Sequence, residues 1–198
     1  MAGGVAGSAA PPGLKRLIPA ADTHGYSERE GCVTTIIVIA LAFIVATVQL
    51  FVSKKPRSGR RTLDLYLLYL LVVGVGLGGL LGGLGHLLFA DRVAEQLGWA
   101  TGSPFQTEVG LFDLAFGVLG ICCIWFRGQW WYATAVGWSV FALGAGANHI
   151  RDIVEKGSSG SLSAASVLPD LLVPALLIVL FILRWRLEPR TAPLAAKA

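Results

Sequence analysis

The chain has 198 residues, of which 55% are hydrophobic and 14% charged, where a soluble domain carries roughly a quarter charged residues. A mean hydropathy of +0.68 excludes a disordered tail, and three cysteines with no readable framework exclude a disulfide scaffold or zinc ribbon. The net charge of +4 lies on a chain too apolar for a nucleic-acid module. The composition predicts a single polytopic domain whose partner is the lipid bilayer.

Residues 1–31 read as a flexible tail, with Lys15, Arg16 and Arg29 balanced by Asp22, Glu28 and Glu30, and with His24 solvated. The first apolar run, Cys32 to Val52, starts too late and runs too long for a signal peptide. It is expected as a retained span, followed by a basic loop through Lys54, Lys55, Arg57, Arg60 and Arg61. A second span opens at Thr62 as N-cap and runs to about Ala90. Its about 28 residues make roughly 42 Å of helix, so it tilts, kinks or projects. A polar loop, Asp91 to Gly102, leads to Ser103, Pro104 and Gln106, the N-cap, first-position and third-position residues of a third helix. That helix extends to about Phe126, and a fourth runs from Trp130 to Ile150. A serine-rich loop precedes a fifth, Leu168 to Leu183, and residues 186–198 form a C-terminal tail. The adjacent Cys122 and Cys123 read as packing residues.

The fold class expected is therefore an all-α integral membrane protein with five transmembrane helices. With five spans, the first loop, the Arg127 turn and the C-terminal tail share one face, holding ten Lys and Arg against two acids. The other face holds six against ten. Positive charge favours the cytoplasm, which places the N-terminus outside. Tyr66, Tyr69, Trp125, Trp130, Trp131 and Trp185 fall where a cytoplasmic aromatic belt belongs, and Trp99 falls on the outer side.

The sequence also repeats. Gly83, Leu84, Gly85, His86 recur as Gly146, Ala147, Asn148, His149, and Phe112, Asp113, Leu114 recur as Pro169, Asp170, Leu171. Asp91, Arg92, Glu95 and Arg151, Asp152, Glu155 follow the histidines as solvated loop charges. Helices two to five are thus expected as a four-helix core of two tandem hairpins, about 62–127 and 130–185, with span one added.

Gly74, Gly78, Gly82 and His86 are spaced by four, a stripe expected to pack against a neighbour, as are Gly110, Gly117, Gly120 and Gly146 on later helices. His86, His149, Asp113 and Asp170, with Glu108 and Asn148 nearby, are the candidates for a ligand- or proton-binding site near the outer face. The plainer account gives the histidines hydrogen bonds to Asp113, Asp170 or Asn148, and the aspartates a place at helix N-termini. His86 and His149 are also the minimum for a metal or for bis-imidazole haem. A proton-coupled carrier is the third reading, with Pro174 four residues after Asp170 as its one sign of a broken helix. No nucleophile elbow, phosphate loop or zinc-protease signature is present, so no catalytic residue is assigned.

The stretch GHLLFADRVAEQLGWATGSPFQTEVGLFDLAFGVLG, His86 and its neighbours through Gly120, resembles the central motif of a bacterial family of small polytopic membrane proteins of unknown function. The resemblance covers residues 62–185, leaves span one as an addition, and implies a bacterial inner membrane without implying an activity. The four-helix arrangement is also similar to the DoxX-like membrane proteins, some of which are associated with redox complexes. The function expected is non-catalytic, the binding of a ligand or membership of a larger complex or homo-oligomer.

Overall fold

The computed structural model describes residues 23–97, 99–156 and 164–187, all helix and connection with no strand among them. The N-terminal tail to residue 22, the serine-rich loop and residues 188–198 lie outside them. Helix α1, Thr23–Val52, begins inside the segment expected as tail. Ala42 and Ala46 form its buried contact, while Ile36, Ile37, Ile44, Val48 and Phe51 are more than half exposed. It lies against the second and last helices.

Arg61 closes the following loop, its guanidinium donating to the carbonyls of Lys55 at 2.6 Å and Pro56 at 3.0 Å. Helix α2, Gly59–Tyr69, is capped by Ser58, whose hydroxyl accepts from the Arg61 N–H at 3.3 Å. Thr62, expected as the cap, lies inside the first turn and donates back to the Ser58 carbonyl at 3.0 Å. The long second span does deviate from a straight α-helix. Leu70–Leu77 is π-helical and continues as α3, Gly78–Leu88. Gly74 and Gly76 carry no side chains to crowd the wider turn.

The loop expected after this span contains a short helix, α4, Ala90–Leu97. Asp91, expected as a solvated charge, accepts from the Gly102 N–H at 3.1 Å and ties the connection together. Gly102 has φ +71, a left-handed conformation that asks for glycine. Helix α5, Phe105–Cys122, starts one residue after the expected Pro104. Ser103 still accepts from the Phe105 N–H at 3.3 Å, as a cap does. After a turn through Gly128, φ +69, comes α6, Gln129–Lys156, and then α7, Ala164–Arg186.

Among the described residues four stretches are long and apolar enough to cross a membrane: Val33–Val52, Gly59–Leu88, Phe105–Cys122 and Val167–Arg186. The fifth expected span is a helix of 28 residues, α6, but it is more polar than the other four. Its polar residues include Gln129, Asn148, His149, Arg151, Asp152 and Glu155 toward its ends, with Thr134 and Ser139 buried on its inward face.

The helices pair as α3 with α5 and α6 with α7. In the first pair the backbones touch. A Cβ on Gly79 would lie 2.7 Å from the Asp113 carbonyl oxygen, one on Gly83 2.7 Å from that of Gly110, and one on Gly120 2.5 Å from the Gly76 nitrogen. This corrects the expected stripe: Gly76, Gly79 and Gly83 make the close approach to Gly110, Gly117 and Gly120, and Gly74 and Gly78 lie off it. Both sets are glycines, and spacing alone could not say which face meets α5. Between the pairs stands an aromatic wedge, Phe112 and Phe116 of α5 against Trp138 and Phe141 of α6, with the Phe112 and Phe141 ring centroids 4.0 Å apart.

One end of the bundle is solid. Leu67, Leu70, Leu71, Val75, Cys123, Trp131 and Leu177 are buried together. The Trp131 indole donates to the Cys123 carbonyl at 3.0 Å, and Trp130 donates to that of Leu119 at 3.2 Å. Trp131 therefore leaves the expected belt for the core, whereas Trp125 and Trp185 are exposed. At the same end Arg184 of α7 donates to Asp64 of α2 at 2.7 Å and to the Tyr132 hydroxyl of α6 at 3.1 Å. Three helices are thereby joined through one guanidinium.

Candidate functional site

The other end is hollow. A cavity of about 700 Å³ opens between the two helix pairs and α1, within the range of about 300–1,000 Å³ usual for small-molecule sites. Gly74 and Gly78 form part of its wall, and at Gly78 nothing stands nearer than 3.9 Å to an added Cβ. The glycines that were expected to draw helices together instead leave room. Val38, Ile39, Val109 and Val173 supply apolar lining, and Thr34 and Thr35 of α1 contribute hydroxyls.

Five of the six candidate polar residues line this cavity: His86, Asp113, Asn148, His149 and Asp170. Glu108 does not, being exposed on α5. His86, near the end of α3, has its Nδ1 2.5 Å from the side-chain oxygen of Gln106 and its ring stacked on Trp99 with centroids 6.0 Å apart. His149, on α6, has Nε2 3.5 Å from Asp170 Oδ2 on α7. The two histidines therefore keep different partners. Asp113, the ninth residue of an 18-residue helix, sits about 12 Å along α5 at 1.5 Å per residue. It has no hydrogen-bond partner among the described residues. Its carboxylate lies against the bare backbone of Gly82, where a Cβ would come within 3.1 Å of Oδ2.

Aromatic residues that sequence reasoning had not placed in the site complete it. Trp99 and Phe105, with ring centroids 5.2 Å apart, cover the end nearest α4, and Trp138 and Phe141 form the α6 side. The signal was present in the helical spacing of Phe112 with Phe116 and Trp138 with Phe141, which puts each pair on one face. Among the described residues two buried side-chain donors lack partners, Trp138 Nε1 and Gln106 Nε2, and both are sealed from solvent and so from the cavity.

Pro169 and Pro174 lie inside the continuous helix α7, on either side of Asp170. Pro174 has no N–H to return to the Asp170 carbonyl, which loses its usual helical donor beside the cavity. Among the described residues no group of three or more His, Cys, Asp or Glu is gathered as a metal site. Cys123 is buried, and its thiol faces the Leu119 carbonyl at 3.4 Å, far from this end in the fold.

A family model matches residues 32–190, four-fifths of the chain and every helix with a wall in the cavity. The chain belongs to a family of unknown function, DUF6790. The match extends beyond the expected 62–185 and takes in the apolar part of α1, so the first span is part of the family's domain and not an addition. That agrees with Thr34 and Val38 of α1 lining the site. Neither a curated protein nor a solved structure matches the chain.

Proposed function

We propose that this chain is a multi-pass membrane protein that binds a small, mainly apolar molecule in the cavity between its two helix pairs. The membrane reading rests on four apolar helices and on the outer face of α1, where Ile36, Ile37, Ile44 and Phe51 are more than half exposed. So large an apolar face is a liability in water and ordinary in lipid. Helix α6 is the fifth crossing in this reading: it is long enough, pairs along α7, and carries Val136, Val140 and Leu143 outward. The excess of Lys and Arg at the Asp64–Arg184 end supports an orientation with that end in the cytoplasm and the hollow end outside.

The tandem repeat is part of the same proposal. Gly83 packs on Leu114, and its counterpart Gly146 packs on Leu171, the counterpart of Leu114. The histidine one turn on and the aspartate of the following helix line one cavity from both halves.

The observation that carries the binding reading is the cavity itself, lined by His86, Asp113, Asn148, His149 and Asp170. The test is equilibrium binding of dansylamide, a neutral environment-sensitive fluorophore, to protein in phosphatidylcholine nanodiscs, corrected for empty discs. Saturable one-to-one binding is expected, weakened at least tenfold by Gly78→Leu, whose side chain enters open space. No saturable binding, or binding indifferent to that substitution, contradicts the reading.

A further inference from the structure

Resting on that reading, we infer that the cavity's ligand is a lipophilic organic cation, an amine whose charge is taken by Asp113 and Asp170 and whose body lies on Trp99, Phe105, Trp138 and Phe141. The charge balance of the lining points this way. Among the described residues two carboxyl side chains line the cavity and no Lys or Arg does. His149 reaches one oxygen of Asp170 at 3.5 Å, and Asp113 has no partner among the described residues. A carboxylate in an apolar chamber is expensive unless a proton or an opposite charge joins it. Two in one chamber also repel each other. A ligand cation answers both, and an anion would worsen both.

The aromatic lining narrows the class further. Indole and phenyl faces attract organic cations through their quadrupoles, most strongly where water is excluded. A bare metal ion fits neither the cavity of about 700 Å³ nor the described residues, which gather no group of three ligands. The site is thus a chamber for an amphipathic amine entering at the hollow end.

The experiment compares two dyes with one fluorophore, dansylcadaverine, a primary amine, and neutral dansylamide, on the full chain in phosphatidylcholine nanodiscs. The wild type is expected to bind the amine at least tenfold more tightly. That preference is expected to fall below threefold in Asp113→Asn, with Asp170→Asn as the second variant and the thermal melt of each as the check of folding. Equal affinity for the two dyes overturns the cation inference and leaves the binding reading standing. So does a preference that both variants keep. If neither dye binds, both the inference and the reading beneath it fall.

Discussion

At one end of the bundle Leu67, Leu71, Val75, Trp131 and Leu177 close on one another and Arg184 locks α2, α6 and α7 together. At the other end the same α6 and α7, with α3, α5 and α1, stand apart around Gly74, Gly78 and Gly144. Glycine appears at both kinds of place with opposite effects. Where it faces glycine, as Gly76 faces Gly120, backbones meet; at Gly78 and Gly144, where an added Cβ meets nothing nearer than 3.9 Å, it leaves space. The difference teaches that this fold closes one end on a shared apolar core and leaves the other open around polar side chains, among them Asp113, which has no hydrogen-bond partner among the described residues.

The largest effect should come from filling a backbone contact. Gly120→Leu puts a side chain where even a Cβ would lie 2.5 Å from the Gly76 nitrogen. A loss of about 3 kcal/mol or more is expected from such overpacking, seen as loss of the cooperative melt followed by circular dichroism in detergent. Gly144→Ala, where no atom lies within 4 Å of the new Cβ, should stay within about 0.5 kcal/mol of wild type. Equal effects at the two glycines would erase the distinction between the ends.

Next in size is the three-helix ion pair. The Arg184 and Asp64 side chains are 12% and 30% exposed, so Arg184→Leu leaves a carboxylate half out of water. About 2 kcal/mol should be lost, and the Arg184→Leu, Asp64→Leu double variant should recover more than half of it. Chemical unfolding of the four members of this cycle checks both statements. Additive losses would mean that the two residues act independently.

The smallest effect is also the sharpest contrast, because it compares two indoles on one helix. Trp131 donates to the Cys123 carbonyl at 3.0 Å, and Trp138 has no acceptor. Trp131→Phe should therefore cost about 1 kcal/mol by leaving the carbonyl unpaired. Trp138→Phe removes a buried donor that nothing satisfies and should be neutral or slightly stabilising. A Trp138→Phe loss as large as that of Trp131→Phe would place Trp138 in the structural end.

Much of the fold was legible because it is written in long apolar runs and breakers. The spans, Ser103 near the start of α5, and Gly110, Gly117 and Gly120 on its packing face follow from period and propensity. The candidate polar residues were legible for a related reason: a histidine or aspartate in an apolar run stands out, and five of the six named line the cavity. What was hidden depends on rotation. Gly74 and Gly79 belong to one glycine-rich helix, and only the π-helical stretch Leu70–Leu77 and the partner helix decide which faces a neighbour. The aromatic wedge was hidden because Phe112 and Trp138 look like any lipid-facing aromatic until α5 and α6 are set side by side. The Asp64–Arg184 pair joins residues 120 apart in sequence, which no local pattern reports.

The most direct test of the contrast uses two adjacent glycines. In a background with Cys32, Cys122 and Cys123 replaced by Ala, Gly78→Cys and Gly79→Cys are treated in nanodiscs with a small methanethiosulfonate reagent, with and without dansylamide. The structure predicts that Cys at position 78 reacts and is protected by the dye, and that the Gly79 variant melts earlier or does not fold, since its Cβ would lie 2.7 Å from a backbone oxygen. A position 78 thiol that is inert, or reactive and unprotected, would contradict the claim that the hollow end is a binding site.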